Sequence, residues 1–325
     1  MTKRAWITSV GVLVLIAAAM LSAGAQQPGP QEPLSQADAL FDQKNYKEAA
    51  ELYEAALETK LTPQRIQHAY EHIILCKLRL RLFDDALEAA EQFVERTSRT
   101  YREARARRQA GNLYMLIPHW GTRAGGEFFR GEWKQGIQLR SEKHDKRLAV
   151  AHLERARELY AAYDLRLASG KGVPGAKRPV PKEEREAWHG ERIACIFDLA
   201  NCLSRFSIYE NDWRWWHRWW GERDEFIAET AGEEDFDEYH SDSEMRRKRP
   251  IGLRVDEDGK PIFPTAPKDY SGGLSDDRNI LYLLAEVREL DKTKEGKFAV
   301  LSYYRQAMLA RARFGMDRIN SYAGM

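Results

Sequence analysis

Apolar residues spaced three and four apart run through most of this chain from Ala37 onward, the period of helices that bury one face. "ADALFDQKNYKEAAELYEAAL" (37–57) predicts two short helices around a turn at Lys44-Asn45, the second presenting Ala49, Tyr53 and Ala56 together. "YEHIILCKLRLRLFDDALEAAEQFVER" (70–96) repeats that layout, with "LFDDA" (82–86) aligned on "NYKEA" (45–49). Further helices are predicted over roughly 100–116, 142–168 and 184–209, and two closing helices over about 276–290 and 294–314. Between the middle pair lies "ASGKGVPGAKRPVPKEE" (168–184), a Gly/Pro/Lys linker. Its glycines and lysine miss the order of a phosphate-binding loop, and no strand precedes them. Residues 222–276 turn acidic, then basic, then loop-like. Within them "LRVDEDGKPIF" (253–263) predicts a small hairpin turning at Asp258-Gly259, without the residue order of a calcium loop.

Ala49 and Ala86 stand in register at an offset of 37 residues, close to the tetratricopeptide (TPR) period of about 34. A small residue there lets paired helices approach closely, and the preceding aromatic plugs the turn. The two units resemble TPRs, although the second lacks the usual small residue in its first helix. Two such units leave their stacking faces open, so further helices must cap them. The expected fold class is all-α, a TPR-like helical repeat stack (α-solenoid) with a small β-hairpin insertion. The expected layout is a signal peptide at 1–25, a disordered leader at 26–35, a helical domain at 36–220, a charged loop with the hairpin at 221–275 and closing helices at 276–316.

The signal peptide is read from Lys3 and Arg4, an apolar run from about Val10 to Leu21, and the small residues Ala23-Gly24-Ala25. Cleavage is expected after Ala25, with a periplasmic or cell-envelope location and no stable membrane insertion afterwards. The alternative is an uncleaved anchor, since 5–25 approaches the ~20 residues that span a bilayer. The whole chain has 51 basic and 50 acidic residues, so losing Lys3 and Arg4 keeps it near neutral. That balance argues against a nucleic-acid partner. Cys76, Cys195 and Cys202 are an odd number for an oxidising compartment. Cys195 and Cys202 are seven residues apart in a helical pattern, about 10 Å along the axis, too far for a disulfide. All three read as buried structural thiols.

Catalytic patterns are sparse. His68 and His72 in "HAYEH" are spaced i, i+4, as two metal ligands on one helical face would be. The zinc-protease order requires Glu after the first His, where Ala69 stands, so the pair is read as half-exposed surface. His144 and Asp145 are adjacent and do not face each other on a helix. There is no nucleophile elbow. The expectation is a protein without catalytic residues, metal or cofactor.

"LIPHWGTRAGGEFFRGEWKQG" (116–136) is unusual in combining glycines, aromatics and polar residues. Pro118 should stop the preceding helix. Gly121, Gly125, Gly126 and Gly131 permit backbone angles closed to other residues. His119, Glu127 and Arg130 add polar groups among Trp120, Phe128, Phe129 and Trp133. The stretch is expected to be a structural loop folded against the helices, its polar groups satisfying backbone ends; a ligand site is the alternative. "IPHWG" (117–121), "AGGEFFRG" (124–131), "VDEDGKPIF" (255–263), "PK" (267–268) and "RFGM" (313–316) follow one another in an order that resembles the N-terminal helical region of large bacterial alpha-2-macroglobulin-like proteins. The resemblance covers most of residues 36–322. It implies an envelope peptidase inhibitor whose helical region precedes a row of macroglobulin domains. The thioester sequence C-x-E-Q of that superfamily is absent after each cysteine, and no series of strand patterns would make the macroglobulin domains. The chain reaches Met325 about where those domains would begin, so it reads either as part of a longer product or as a free-standing relative. The implied partners are a protein or those following domains.

"NDWRWWHRWWGE" (211–222) holds five tryptophans. At 100° per residue, Trp213, Trp215, Trp216, Trp219 and Trp220 fall within about 160° of one face, with Arg214 and Arg218 opposite. They read as helix core, as a partner-binding face stacking on sugar, peptide or protein, or as a membrane-surface helix.

Overall fold

The computed structural model describes residues 33–170, 172–175, 182–218, 237–238, 266–271, 276–292 and 296–314. The signal peptide expected at 1–25, the hairpin expected at 253–263, and Trp219 and Trp220 therefore lie outside the described residues. So do the side chains of Trp213, Trp215 and Trp216, whose backbone belongs to a helix. The described chain is mostly helical with a small antiparallel sheet. None of its described helices is long and apolar enough to cross a membrane. It divides into two compact units at Cys76/Lys77, inside the single helical domain expected from the sequence.

The first unit contains α1 (Pro33–Asp42), α2 (Tyr46–Leu57) and most of α3 (Pro63–Arg79). Proline at the first helical position needs no N–H partner, so α1 begins inside the segment expected as a disordered leader, and Leu34 is buried. Ala37, Ala49, Tyr53, Ala56, Ala69, Ile73 and Cys76 are essentially inaccessible to solvent. Small side chains at Ala37, Ala49 and Ala69 let the backbones approach, while Tyr53 supplies the bulk of the core.

The second unit carries α4 (Phe83–Thr97), α5 (Glu103–Leu116), α6 (Glu142–Ala168), α7 (Lys182–Arg218), α8 (Asp276–Leu290) and α9 (Lys297–Phe314). Each packs on the next in sequence. Leu153, Ile193, Ile196, Leu199, Leu283, Leu284 and Val287 form the largest fully buried apolar side chains of this core together with Phe93. Gly111 of α5 sits where a Cβ would meet the Leu153 side chain at 2.7 Å and the Ala149 carbonyl at 3.0 Å, so the α5–α6 crossing requires glycine. α7 runs unbroken beyond the expected 184–209 helix and takes in the first three tryptophans of the block. Cys76, Cys195 and Cys202 are buried free thiols, and burial pushes Cys76 and Cys195 up to about 11 and about 12.

Two turns repeat each other bond for bond. After α1, Lys44 is left-handed at φ 65°, its N–H bonds the Phe41 carbonyl at 2.9 Å, and the Asn45 N–H bonds the Leu40 carbonyl at 2.9 Å. After α3, Arg81 is left-handed at φ 61°, its N–H bonds the Leu78 carbonyl at 3.1 Å, and the Leu82 N–H bonds the Lys77 carbonyl at 2.9 Å. Both are Schellman stops, which satisfy the last carbonyls of a helix through one left-handed residue. Both lead at once into a helix whose buried alanine, Ala49 or Ala86, donates its N–H at 3.0 Å to the residue after the left-handed one.

The stretch 116–136 is not a loop. β1 (Trp120–Ala124) and β2 (Glu127–Arg130) form a hairpin, and β3 (Ile137–Arg140) pairs antiparallel with the other edge of β1. A two-residue strand, β4 (Asp237–Glu238), pairs with β3. Gly125 and Gly126 form the two-residue turn at φ 60° and 88°, the double left-handed geometry whose twist suits a hairpin. The β insertion thus includes residues 120–140.

Candidate functional site

In each unit, groups of polar side chains draw together residues far apart in sequence. In the first unit, Asp38 of α1, Tyr53 of α2, and His68 and His72 of α3 converge. The i, i+4 spacing puts both imidazoles on one face of α3, with ring centroids 4.1 Å apart. Asp38 Oδ1 lies 2.7 Å from His68 Nε2 and accepts the Tyr53 hydroxyl at 2.5 Å. His72 Nδ1 lies 2.9 Å from the His68 carbonyl oxygen. A carbonyl only accepts, so Nδ1 carries the hydrogen and the neutral ring keeps its lone pair on Nε2. Phe41 meets the His72 ring edge-on at 4.9 Å between centroids.

Potential ligand atoms of Asp38, His68 and His72 all lie within 4.8 Å of one another. His68 and Asp38 keep 40% and 44% of their side-chain surface accessible, so solvent reaches the group. Burial raises the Asp38 pKa, but the hydrogen bonds from Tyr53 and His68 and the two imidazoles outweigh it and hold the carboxyl below its usual range. Burial and the Asp38 carboxylate push the Tyr53 phenol upward, so it stays a donor. The sequence reading set His68 and His72 aside as surface. The missing member was Asp38, which no local pattern links to α3.

In the second unit a buried polar knot lies beneath the small sheet. Arg130, at the end of β2, directs Nη1 and Nη2 at Asp145 Oδ2 and Oδ1 over 2.7 and 3.1 Å. Nη1 also reaches the Pro118 carbonyl at 2.9 Å and Ser141 Oγ at 2.8 Å, while Nε donates to Asp84 at 2.9 Å. Ser141 Oγ donates to Asp145 Oδ2 at 2.6 Å, and His119 Nδ1 lies 2.9 Å from the same oxygen. The Asp145 side chain is fully buried. Burial alone would raise its pKa; hydrogen bonds from His119, Arg130 and Ser141 with the Arg130 charge hold it below the usual range. The knot joins β2, the β1 approach and the first turn of α6, where the helix dipole also favours a carboxylate.

Of the residues singled out in the loop, Pro118, His119 and Arg130 therefore meet, around an aspartate that the sequence reading noticed only as a neighbour of His144. Gly121 is buried on β1, where a Cβ would press on the Phe128 ring at 2.8 Å. Trp120 stacks on Trp133 at 4.7 Å between centroids. Glu127 is exposed at the hairpin turn and stands apart from the knot. Both carboxylate oxygens of Asp145 are engaged by the protein's own groups, which suits holding a structure together rather than chemistry on a substrate.

Another polar cluster of the second unit shows the same economy. Glu91 accepts from Tyr114 at 3.0 Å and lies 2.9 Å from His152 Nε2, and the His152 contact is the main reason its pKa is lowered. Beside it, an open groove of about 460 Å³ is lined by Glu88, Glu91, Gln92, Val94, Glu95, Ser98 and Arg107. Compared with known proteins, the sequence matches no protein-family model and no curated protein.

Proposed function

We propose that this chain is a non-enzymatic, exported helical scaffold built on TPR-like helix pairs, corresponding to the N-terminal interaction region of an alpha-2-macroglobulin-like peptidase inhibitor. The observation that carries the scaffold reading is the repeated stop-and-restart after α1 and α3. Lys44 and Arg81, 37 residues apart, share one backbone conformation and one hydrogen-bond pattern, each followed by a buried alanine at the same place. Such a recurring helix pair is the unit of repeat proteins, which bind partners over extended surfaces. The placement of the inhibitor reading rests on the order of motifs from "IPHWG" to "RFGM" and on the leader-like residues 1–25. The chain's own share of that function is docking, to a partner or to following macroglobulin domains, with the tryptophan helix as the candidate surface.

A second reading, an independent envelope module that binds a peptide, protein or glycan, is favoured by the groove on α4 and α5. Three glutamates, Glu88, Glu91 and Glu95, line it beside Arg107, a surface suited to a basic segment of a partner.

Immunoblotting of separated envelope and cytosolic fractions with an antibody against residues 36–100 separates the readings. The inhibitor reading expects a species far larger than the 37.6 kDa of this chain. A band near that mass overturns it in favour of the independent module, and a purely cytosolic signal overturns export for both.

A further inference from the structure

We infer that Asp38, His68 and His72 form a binding site for a divalent transition-metal ion of the zinc class, held between α1 and α3. The inference goes beyond the scaffold reading and is independent of it. Three features of a metal site coincide here. The first is the donor set: two imidazoles and one carboxylate, whose potential ligand atoms lie within 4.8 Å of one another. Two nitrogens and an oxygen suit Zn²⁺, Co²⁺ or Ni²⁺ over the hard, all-oxygen preference of Ca²⁺ and Mg²⁺.

The second feature is outer support. The His72 Nδ1–H is tied to the His68 carbonyl at 2.9 Å, which orients the ring and reserves Nε2 as the electron-pair donor. The Tyr53 hydroxyl donates to Asp38 Oδ1 at 2.5 Å, holding the carboxylate in place. Metal sites are commonly oriented by such hydrogen bonds to their ligands. The third feature is access. His68 and Asp38 are partly open to water, which supplies the remaining coordination position.

Without metal, His68 Nε2 and Asp38 Oδ1 sit 2.7 Å apart around a shared hydrogen. Two ligands of a tetrahedral ion at about 2.0–2.1 Å lie about 3.3 Å from one another. Opening by roughly 0.6 Å is within the reach of two half-exposed side chains, and the cation takes the place of that hydrogen. Binding of the cation therefore displaces that proton. Cys76, one turn beyond His72, is fully buried and does not belong to the group of converging ligand atoms.

The test uses the full chain purified without a histidine tag and stripped by chelator. Calorimetric titration with Zn²⁺, and with Co²⁺ followed by visible absorption, should show one saturable equivalent. His68→Gln and His72→Gln should each weaken it at least about tenfold, as should Asp38→Asn, while His189→Gln in the other unit leaves it unchanged. Circular dichroism checks that each variant is folded. For a variant that is not, the unaltered chain decides: Zn²⁺ should protect His68 and His72 from diethyl pyrocarbonate, read by peptide mass spectrometry. No saturable uptake, uptake unchanged in the folded variants, or modification of both histidines at the same rate with and without Zn²⁺ would each overturn the site.

Discussion

Arg130 and Asp145, on β2 and at the first turn of α6, meet in a two-armed pair of 2.7 and 3.1 Å, with 5% and 0% of their side-chain surface exposed. A pair this deep adds little over apolar packing, but losing one partner strands the other charge. Asp145→Asn should therefore destabilise the second unit by about 3–5 kcal/mol in urea unfolding. Arg130→Lys, which cannot reach Asp84, Pro118, Ser141 and Asp145 together, should follow in the same direction with a smaller loss. Glu127→Gln, on the exposed hairpin turn, should stay within about 0.5 kcal/mol.

The same pair sets a pH dependence. Asp145 has a folded-state pKa held below its unfolded value of about 3.9, so its contribution is complete above that value and is lost as pH falls through the folded one. Stability measured between pH 5 and pH 2 should fall for the unaltered chain. Glu91, Glu103 and Asp38 share the direction, so the Asp145 portion is the difference from Asp145→Asn, whose decline should be shallower. Equal slopes would show that Asp145 does not carry the acid sensitivity assigned to it.

Two helical glycines should respond with opposite sign. At Gly111 an added methyl meets Leu153 and the Ala149 carbonyl, so Gly111→Ala should cost about 1–3 kcal/mol by prising α5 from α6. At Gly190 nothing lies within 4 Å of the new Cβ, and Gly190→Ala should stabilise α7 by up to about 1 kcal/mol. Thermal melts of the two single variants check the pair.

Lys44 and Arg81 place long side chains in the left-handed region that glycine occupies at little cost. Lys44→Gly and Arg81→Gly should each stabilise by about 0.5–1 kcal/mol, an unusual gain from introducing glycine. Similar increments at both turns would be the energetic counterpart of their shared hydrogen bonds. A loss at either would mean that its side chain does more than cap.

The glycine pair Gly125-Gly126 marks the limit of reading this chain locally. A two-residue glycine turn is a hairpin signal, and both residues adopt the required left-handed angles. The flanking strands are only five and four residues long and mix aromatics with charges, so their alternation was lost among the polar positions. The turn chemistry was legible there; the sheet was not.

By itself the sequence determined the helical elements, the turn at Lys44-Asn45 and the burial of Ala49 and Ala86, because period and turn chemistry act over a few residues. The α6 span at 142–168 is an example, read directly from its spacing. Only the tertiary structure decided that Asp38 joins His68 and His72 across 30 residues, and that Asp145 closes on Arg130 and His119 rather than on its neighbour His144. Successive residues on a helix point about 100° apart, so adjacency in sequence separates side chains. Packing between elements brings distant ones together, because buried charges and hydrogen-bonding groups must find partners wherever the fold places them.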